Sequence, residues 1–221
     1  MFGIRPMTLT RRSLALAVAA LPFAGAALAA RPPIAPLTDA DRALVDRAAT
    51  YLQGLTEAKA RFVQTDARGG TTQGILYLQR PGKARFAYDP PSGLLVVADG
   101  HNVSIANSQL KTFDRYPLMA TPLSIFLARQ IRLDKGIVIS GVSRMADGFS
   151  ITARDGRKEA EGEITLTFSD NPVALAGWTV TDAQGSSTRI RLSGLDRAGG
   201  LDQSLFVLND PRPKSPGRAR M

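Results

Sequence analysis

Along most of this chain, short segments rich in apolar residues are separated by turn-forming residues, a rhythm too short for helices and suited to strands. It is clearest in GILYLQRPGKARFAYDPPSGLLVVADG, residues 74–100. Segments 75–79 and 84–88 flank Arg80-Pro81-Gly82-Lys83, which predicts a hairpin turned by Pro-Gly. Pro90-Pro91-Ser92-Gly93 turns the chain again into a third strand at 94–98, and Asp99-Gly100 supplies the positive φ that a tight turn into a fourth requires. Further strands are expected at 58–65, 102–107, 109–114, 137–139, 149–153, 164–168, 178–180 and 190–192, with Phe206-Val207-Leu208 as the last. Two segments break the rhythm. After a cap at Thr38 or Asp39, Leu44, Ala48, Tyr51, Leu52 and Leu55 share one face of a helix, with Asp41, Arg42, Asp46 and Arg47 opposite. Thr121-Pro122, a capping hydroxyl followed by a proline at the first helical position, then opens a short helix carrying Leu123, Phe126, Leu127 and Ile131 on one side, too short to persist unless that side is buried.

Strand periodicity assigns directions. Leu76, Leu78 and Arg80 share one face, and Phe86 and Tyr88 share a face of the partner strand. Ile75 and Tyr77 are apolar as well, and Leu94-Leu95-Val96-Val97 does not alternate, so these strands meet apolar material on both faces, either helices or a greasy ligand. The second helix, bulky and apolar on one side, suits a movable lid or a fixed plug. Arg80 ends the row begun by Leu76 and Leu78, so its charge must find acceptors or reach water. The last-turn carbonyls of a lid helix would serve.

Gly74-Ile75-Leu76, Arg80-Pro81-Gly82-Lys83, Arg85-Phe86-Ala87-Tyr88 and Val97-Ala98-Asp99-Gly100 together resemble the periplasmic outer-membrane lipoprotein carriers of the LolA family, and Phe62-Val63-Gln64 resembles the strand those proteins place after their first helix. The likeness is strong over 58–100 and continues as a strand rhythm to Val207. Such a resemblance implies a mainly β fold with a few helices: an unclosed antiparallel half-barrel covered by short helices that form a lid over an apolar cavity. It implies a soluble periplasmic chaperone that shuttles lipoproteins from an inner-membrane lipoprotein-exporting ABC transporter to an outer-membrane acceptor, acting as a monomer, with lipoprotein acyl chains in the cavity. Arg80 then holds the empty carrier closed. The expected cavity lining is Phe62, Leu76, Leu78, Phe86, Tyr88 and Val96 from the first strands, Leu123, Phe126 and Leu127 from the lid, and Ile164, Leu166, Phe168 and Trp178 from the later ones. The chain departs from the family after Asp99-Gly100, where His101-Asn102-Val103 stands in place of the aromatic residues common there. A carrier or sensor of another envelope lipid is the alternative.

Residues 1–29 read as a signal peptide: Arg5, Arg11 and Arg12 precede an apolar run broken by Pro22, and Ala27-Leu28-Ala29 offers a cleavage site. Removing 29 of 221 residues leaves 192, enough for one domain, expected at 30–209. With no cysteine, the domain has neither a disulfide nor a lipidation site. Of the net charge of +9, three arginines belong to the leader and a net three charges to the basic tail 210–221, expected to be disordered, so the core carries only about +3. No single element concentrates that charge as a nucleic-acid interface would.

No nucleophile elbow, zinc motif or phosphate-binding glycine loop is present, the one histidine, His101, falls in a turn, and Glu159, Glu161 and Glu163 alternate along a solvated loop rather than cluster around a metal. The residues thus point to binding, with no catalytic group, metal or cofactor.

Overall fold

A computed structural model describes residues 36–131, 136–156 and 162–210. The signal peptide, Glu159, Glu161 and all of the basic tail except Asp210 lie outside the described residues. The first helix, α1 (Asp39–Gly54), is followed by six strands, β1 (Glu57–Thr65), β2 (Thr71–Gln79), β3 (Lys83–Tyr88), β4 (Leu94–Asp99), β5 (Asn102–Asn107) and β6 (Thr112–Pro117). A short helix, α2 (Leu123–Leu127), separates them from β7 (Ile137–Met145), β8 (Gly148–Asp155), β9 (Glu163–Asp170), β10 (Val173–Thr181) and β11 (Ser187–Arg197).

All eleven strands form one antiparallel sheet in the order β6-β5-β4-β3-β2-β1-β11-β10-β9-β8-β7. Two meanders are therefore joined by the pairing of β1 with β11, in which Phe62 stands opposite Leu192. The edges, β6 and β7, are consecutive in the chain but unpaired, and the segment carrying α2 runs between them. The sheet curls without closing, and the helices occupy its concave side. This is the expected half-barrel.

The turns follow their residues. Gly82 has φ +80, and a Cβ there would lie 2.7 Å from the Cα of Gly100, so the β2–β3 and β4–β5 turns touch glycine to glycine. Asp99 Oδ1 accepts from the backbone N–H groups of His101 and Asn102. Asn107 Oδ1 likewise accepts from Gln109 and Leu110, and this turn delays the next strand to Thr112 rather than the expected 109.

On the concave face, α1 buries Leu44, Val45, Ala48 and Leu52 and is opened by a capping box between Thr38 and Asp41. Tyr51 meets Phe168 edge-on at 6.2 Å. In α2, Ile125, Phe126 and Leu127 are buried, which holds five residues helical that would not be so in isolation. Its start differs from expectation. Pro122 is the cap rather than the first helical residue, and the Thr121 hydroxyl donates to Leu118 O at 2.8 Å, closing the preceding single turn instead of capping the helix.

On the convex face a C-terminal strap accounts for the buried outward position Val97 in the run 94–97 that does not alternate. Arg85, Val97, Ser104 and Arg115 form one outward row across β3 to β6, and Val97 and Ser104 are nevertheless buried. Over this region passes the segment after β11: Arg85 donates to Leu205 O at 3.0 Å and Arg115 to Leu208 O at 3.2 Å, while the Lys83 ammonium lies 5.9 Å from the centre of the buried Phe206 ring. Over Val97 and Ser104 the cover on the second face is thus the protein's own chain. Phe206-Val207-Leu208, expected as a last strand, is not one: Phe206 ends a single turn at Gln203–Phe206, and the carbonyls of Leu205 and Leu208 on either side are taken by Arg85 and Arg115 of the sheet below.

Candidate functional site

The concave side has two unlike ends. At one, Arg80 is 8% exposed and reaches between the two helices. Its Nη1 donates to the carbonyls of Leu52 and Leu55, where α1 ends, the latter at 3.3 Å, and its Nη2 donates to Ala128 O, just past α2, at 2.7 Å. The acceptors are peptide carbonyls at helix ends, whose partial negative charge offsets a buried cation. Burial holds the guanidinium pKa below its usual value, and its Nε is buried without a partner among the described residues. Two neighbours reinforce the tie: Gly82 N donates to Leu127 O at 2.8 Å, and the Gln53 side-chain amide donates to Arg129 O at 3.3 Å while accepting from Ile131 N at 3.0 Å. Beside them lies a depression of about 790 Å³ whose lining mixes polar residues, among them Glu57, Lys83, Asp99, His101 and Arg129, with apolar ones such as Leu118 and Met119.

At the other end a cleft of about 540 Å³ opens between β3, β4 and β5 on one side and β10 and β11 on the other, with Pro122 and Leu123 as its near wall. Apolar side chains dominate it, among them Phe86, Leu94, Val96, Ile105, Val180 and Ile190. A chain of ring contacts leads from the cleft into the core: Tyr88 to Phe62 at 5.0 Å, Phe62 to Phe86 at 5.5 Å, Phe86 to Trp178 at 6.0 Å and Trp178 to Phe126 of α2 at 5.3 Å.

Of the thirteen residues expected to line a cavity, five do so here: Phe86, Tyr88, Val96, Leu123 and Trp178. The other eight do not line this cleft. Phe62, Leu76, Leu78, Phe126, Leu127, Ile164, Leu166 and Phe168 are each at most 2% exposed and belong to one packed cluster. The physical reason is that α1 and α2 fill the hollow that the strand pattern alone leaves vacant. Sequence reasoning missed Gln53, Gln64, Val103, Val180 and Ile190. Val180 and Ile190 were legible as inward positions of expected strands, whereas Gln53 and Gln64 carry no local signal.

Among the described residues no group of three or more His, Cys, Asp or Glu side chains is placed to hold a metal ion, and no helix is long and apolar enough to cross a membrane. What the arrangement offers is an apolar recess beside a helix whose far end is fastened by polar bonds.

Comparison with known proteins supplies the context. A family model described as Outer membrane lipoprotein carrier protein LolA matches residues 53–209. The outer-membrane lipoprotein carrier protein of Shewanella amazonensis is 27% identical over 188 residues, covering 81% of this chain and 88% of that relative. Its counterpart in Pseudomonas syringae pv. syringae is 28% identical over 193 residues, 78% of this chain and 87% of the relative. That of Chromohalobacter salexigens is 25% identical over 184 residues, 75% and 82%.

Proposed function

This chain belongs to the outer-membrane lipoprotein carrier family, and from that premise we propose that it is a non-enzymatic periplasmic shuttle. After loss of residues 1–29, the single domain 30–209 accepts the acyl chains of lipoproteins from an inner-membrane exporter, carries them in the cleft beside α2, and yields them to an outer-membrane acceptor. The observation that carries this reading is the placement of α2. Its first residue, Leu123, walls the apolar cleft, while Leu127 O at its other end and Ala128 O just beyond are fastened by Gly82 and Arg80. A helix of five residues so held can swing out and uncover Phe126, Leu127 and the strand residues beneath, enlarging the recess to receive a chain.

Energetics favour this design over a permanently open hollow. Enclosing a sixteen-carbon chain gains on the order of 12 kcal/mol at about 0.8 kcal/mol per methylene. Two or three chains fully enclosed would reach the practical ceiling of about 18–21 kcal/mol and could not be released. Closing the empty protein with Arg80 subtracts from the gain on loading, because the latch must open first, and returns that energy on unloading. Arg80 is therefore the lid-holding residue in this proposal.

The test is uptake and transfer of a lipidated peptide by the purified protein and by Arg80→Leu. The proposal expects uptake by both and impaired release to acceptor membranes by the variant. Equal uptake and equal transfer in the two proteins would remove the latch from the account, and no uptake by either would remove the carrier.

A further inference from the structure

One wall of the cleft is not hydrocarbon. Tyr88 donates its hydroxyl to Gln64 Oε1 at 2.6 Å, and both side chains line the recess. The backbone arranges this contact. Phe62 of β1, Gly74 of β2 and Tyr88 of β3 form one inward rung, with Gln64 the next inward position of β1. Because position 74 lacks a side chain, the Tyr88 ring lies across β2 against Phe62 and its hydroxyl reaches Gln64. A Cβ at 74 would stand only 2.2 Å from Ala87 O, so this position admits no other residue without moving β3.

Phenylalanine and leucine at these two places would line the recess with hydrocarbon and spare it the desolvation of polar groups. Binding sites of this kind are mostly apolar, with a few polar groups that orient the ligand. With its oxygen engaged by Tyr88, Gln64 still presents two amide N–H donors, which have no partner among the described residues, as does the Thr188 hydroxyl on the same lining. In the open recess these donors face water, and a ligand that displaces that water must supply an acceptor in its place. Among the described residues the cleft lining contains no lysine or arginine, and its one carboxylate there, Asp182, accepts from Gln184 N and Ser186 N. An anionic acceptor would thus enter an apolar recess without a counter-charge and beside an acid, a costly placement. A neutral carbonyl would not.

We propose that the Gln64–Tyr88 pair recognises the carbonyl of an ester- or amide-linked acyl group, so that the cleft selects neutral acylated ligands over free fatty acids. This rests on the acyl-carrier reading above and adds to it the chemistry of the group next to the chain. Gln64 donates to the carbonyl oxygen, Tyr88 fixes the rotamer of Gln64, and the hydrocarbon extends toward Val96, Ile105 and Trp178.

The experiment measures binding of monolauroylglycerol and of laurate at neutral pH through the fluorescence of Trp178, the single tryptophan, in the purified protein and in the Gln64→Leu/Tyr88→Phe double variant. Removing both partners together leaves neither unsatisfied, and unchanged thermal unfolding verifies the fold. The wild type is expected to bind the ester at least tenfold more tightly than laurate, and the double variant to lose about fivefold for the ester, the worth of one hydrogen bond, with laurate unaffected. Equal affinity of the wild type for the two probes, or equal losses for both in the variant, overturns the selectivity. If the wild type binds neither probe, the acyl-carrier reading falls, and this inference with it.

Discussion

The two ends of α2 face opposite kinds of chemistry. Past its C-terminal end, Arg80 and Gln53 grip the backbone at Ala128, Arg129 and Ile131 through directional bonds, and its last carbonyl accepts from Gly82. At its N-terminal end Leu123 rests against an open apolar recess where contacts are non-directional. In the proposed shuttle these directional bonds are made or unmade as a set, which would give the fastened end two states, held or released. Apolar contact varies smoothly with what is present, so in the proposed shuttle the recess end would accommodate chains of differing length and number. A carrier needs both properties, and here one short helix connects them.

The largest effect that would break this comparison comes from charging the recess. Leu123→Glu should lower acyl-peptide uptake by well over tenfold, since an unpaired carboxylate there loses solvation in the loaded state, while the Arg80 bonds at the other end stay intact. Uptake assays alongside amide exchange at Leu127 separate the two. Next is Arg80→Leu, which leaves the carbonyls of Leu52, Leu55 and Ala128 without their donor. At about 1.5–3 kcal/mol for each hydrogen bond to a charged group, exchange of the amides in α2 should quicken at least tenfold, with uptake retained.

Alkali should distinguish the ends in the other direction. Burial pushes the Tyr88 hydroxyl up to about 12, above its ordinary value of 10.0. The unfolded chain therefore ionises first, so the stabilisation is whole below about pH 10 and is lost progressively as pH rises from there to about 12, of order 2–3 kcal/mol in total. Alkaline unfolding followed by Trp178 fluorescence should show this loss, and Tyr88→Phe should abolish it. The smallest effect expected is from Gln53→Ala, which removes two neutral bonds from the fastened end and should raise α2 exchange severalfold, short of Arg80→Leu.

Much of this was legible in the residues. Pro-Gly and Asp-Gly turns between short apolar segments place the opening meander, and counting by twos along Leu76, Leu78, Arg80 puts a cation at the end of an inward face. Less legible was what fills the space above that face. Inward direction follows from periodicity, but whether an inward residue meets a cavity or a helix depends on contacts distant in sequence. Hence Phe62, Ile164, Leu166 and Phe168 sit in solid core while Val96 and Trp178 reach the recess. The strap over Val97 and Ser104 was hidden for a similar reason: its hold comes from Lys83, Arg85 and Arg115, more than ninety residues upstream, and leaves no periodic trace. Gln64 was invisible because a polar residue near a strand end ordinarily signals solvent.

The most direct test of a helix fastened at one end and bordering a recess at the other is hydrogen exchange with and without a lipidated peptide. Loading should slow exchange in β4, β5, β10 and β11 around the cleft and speed it from Leu123 to Ala128. A bound lipidated peptide that leaves α2 exchange unchanged, or protects it together with the cleft, would contradict the account.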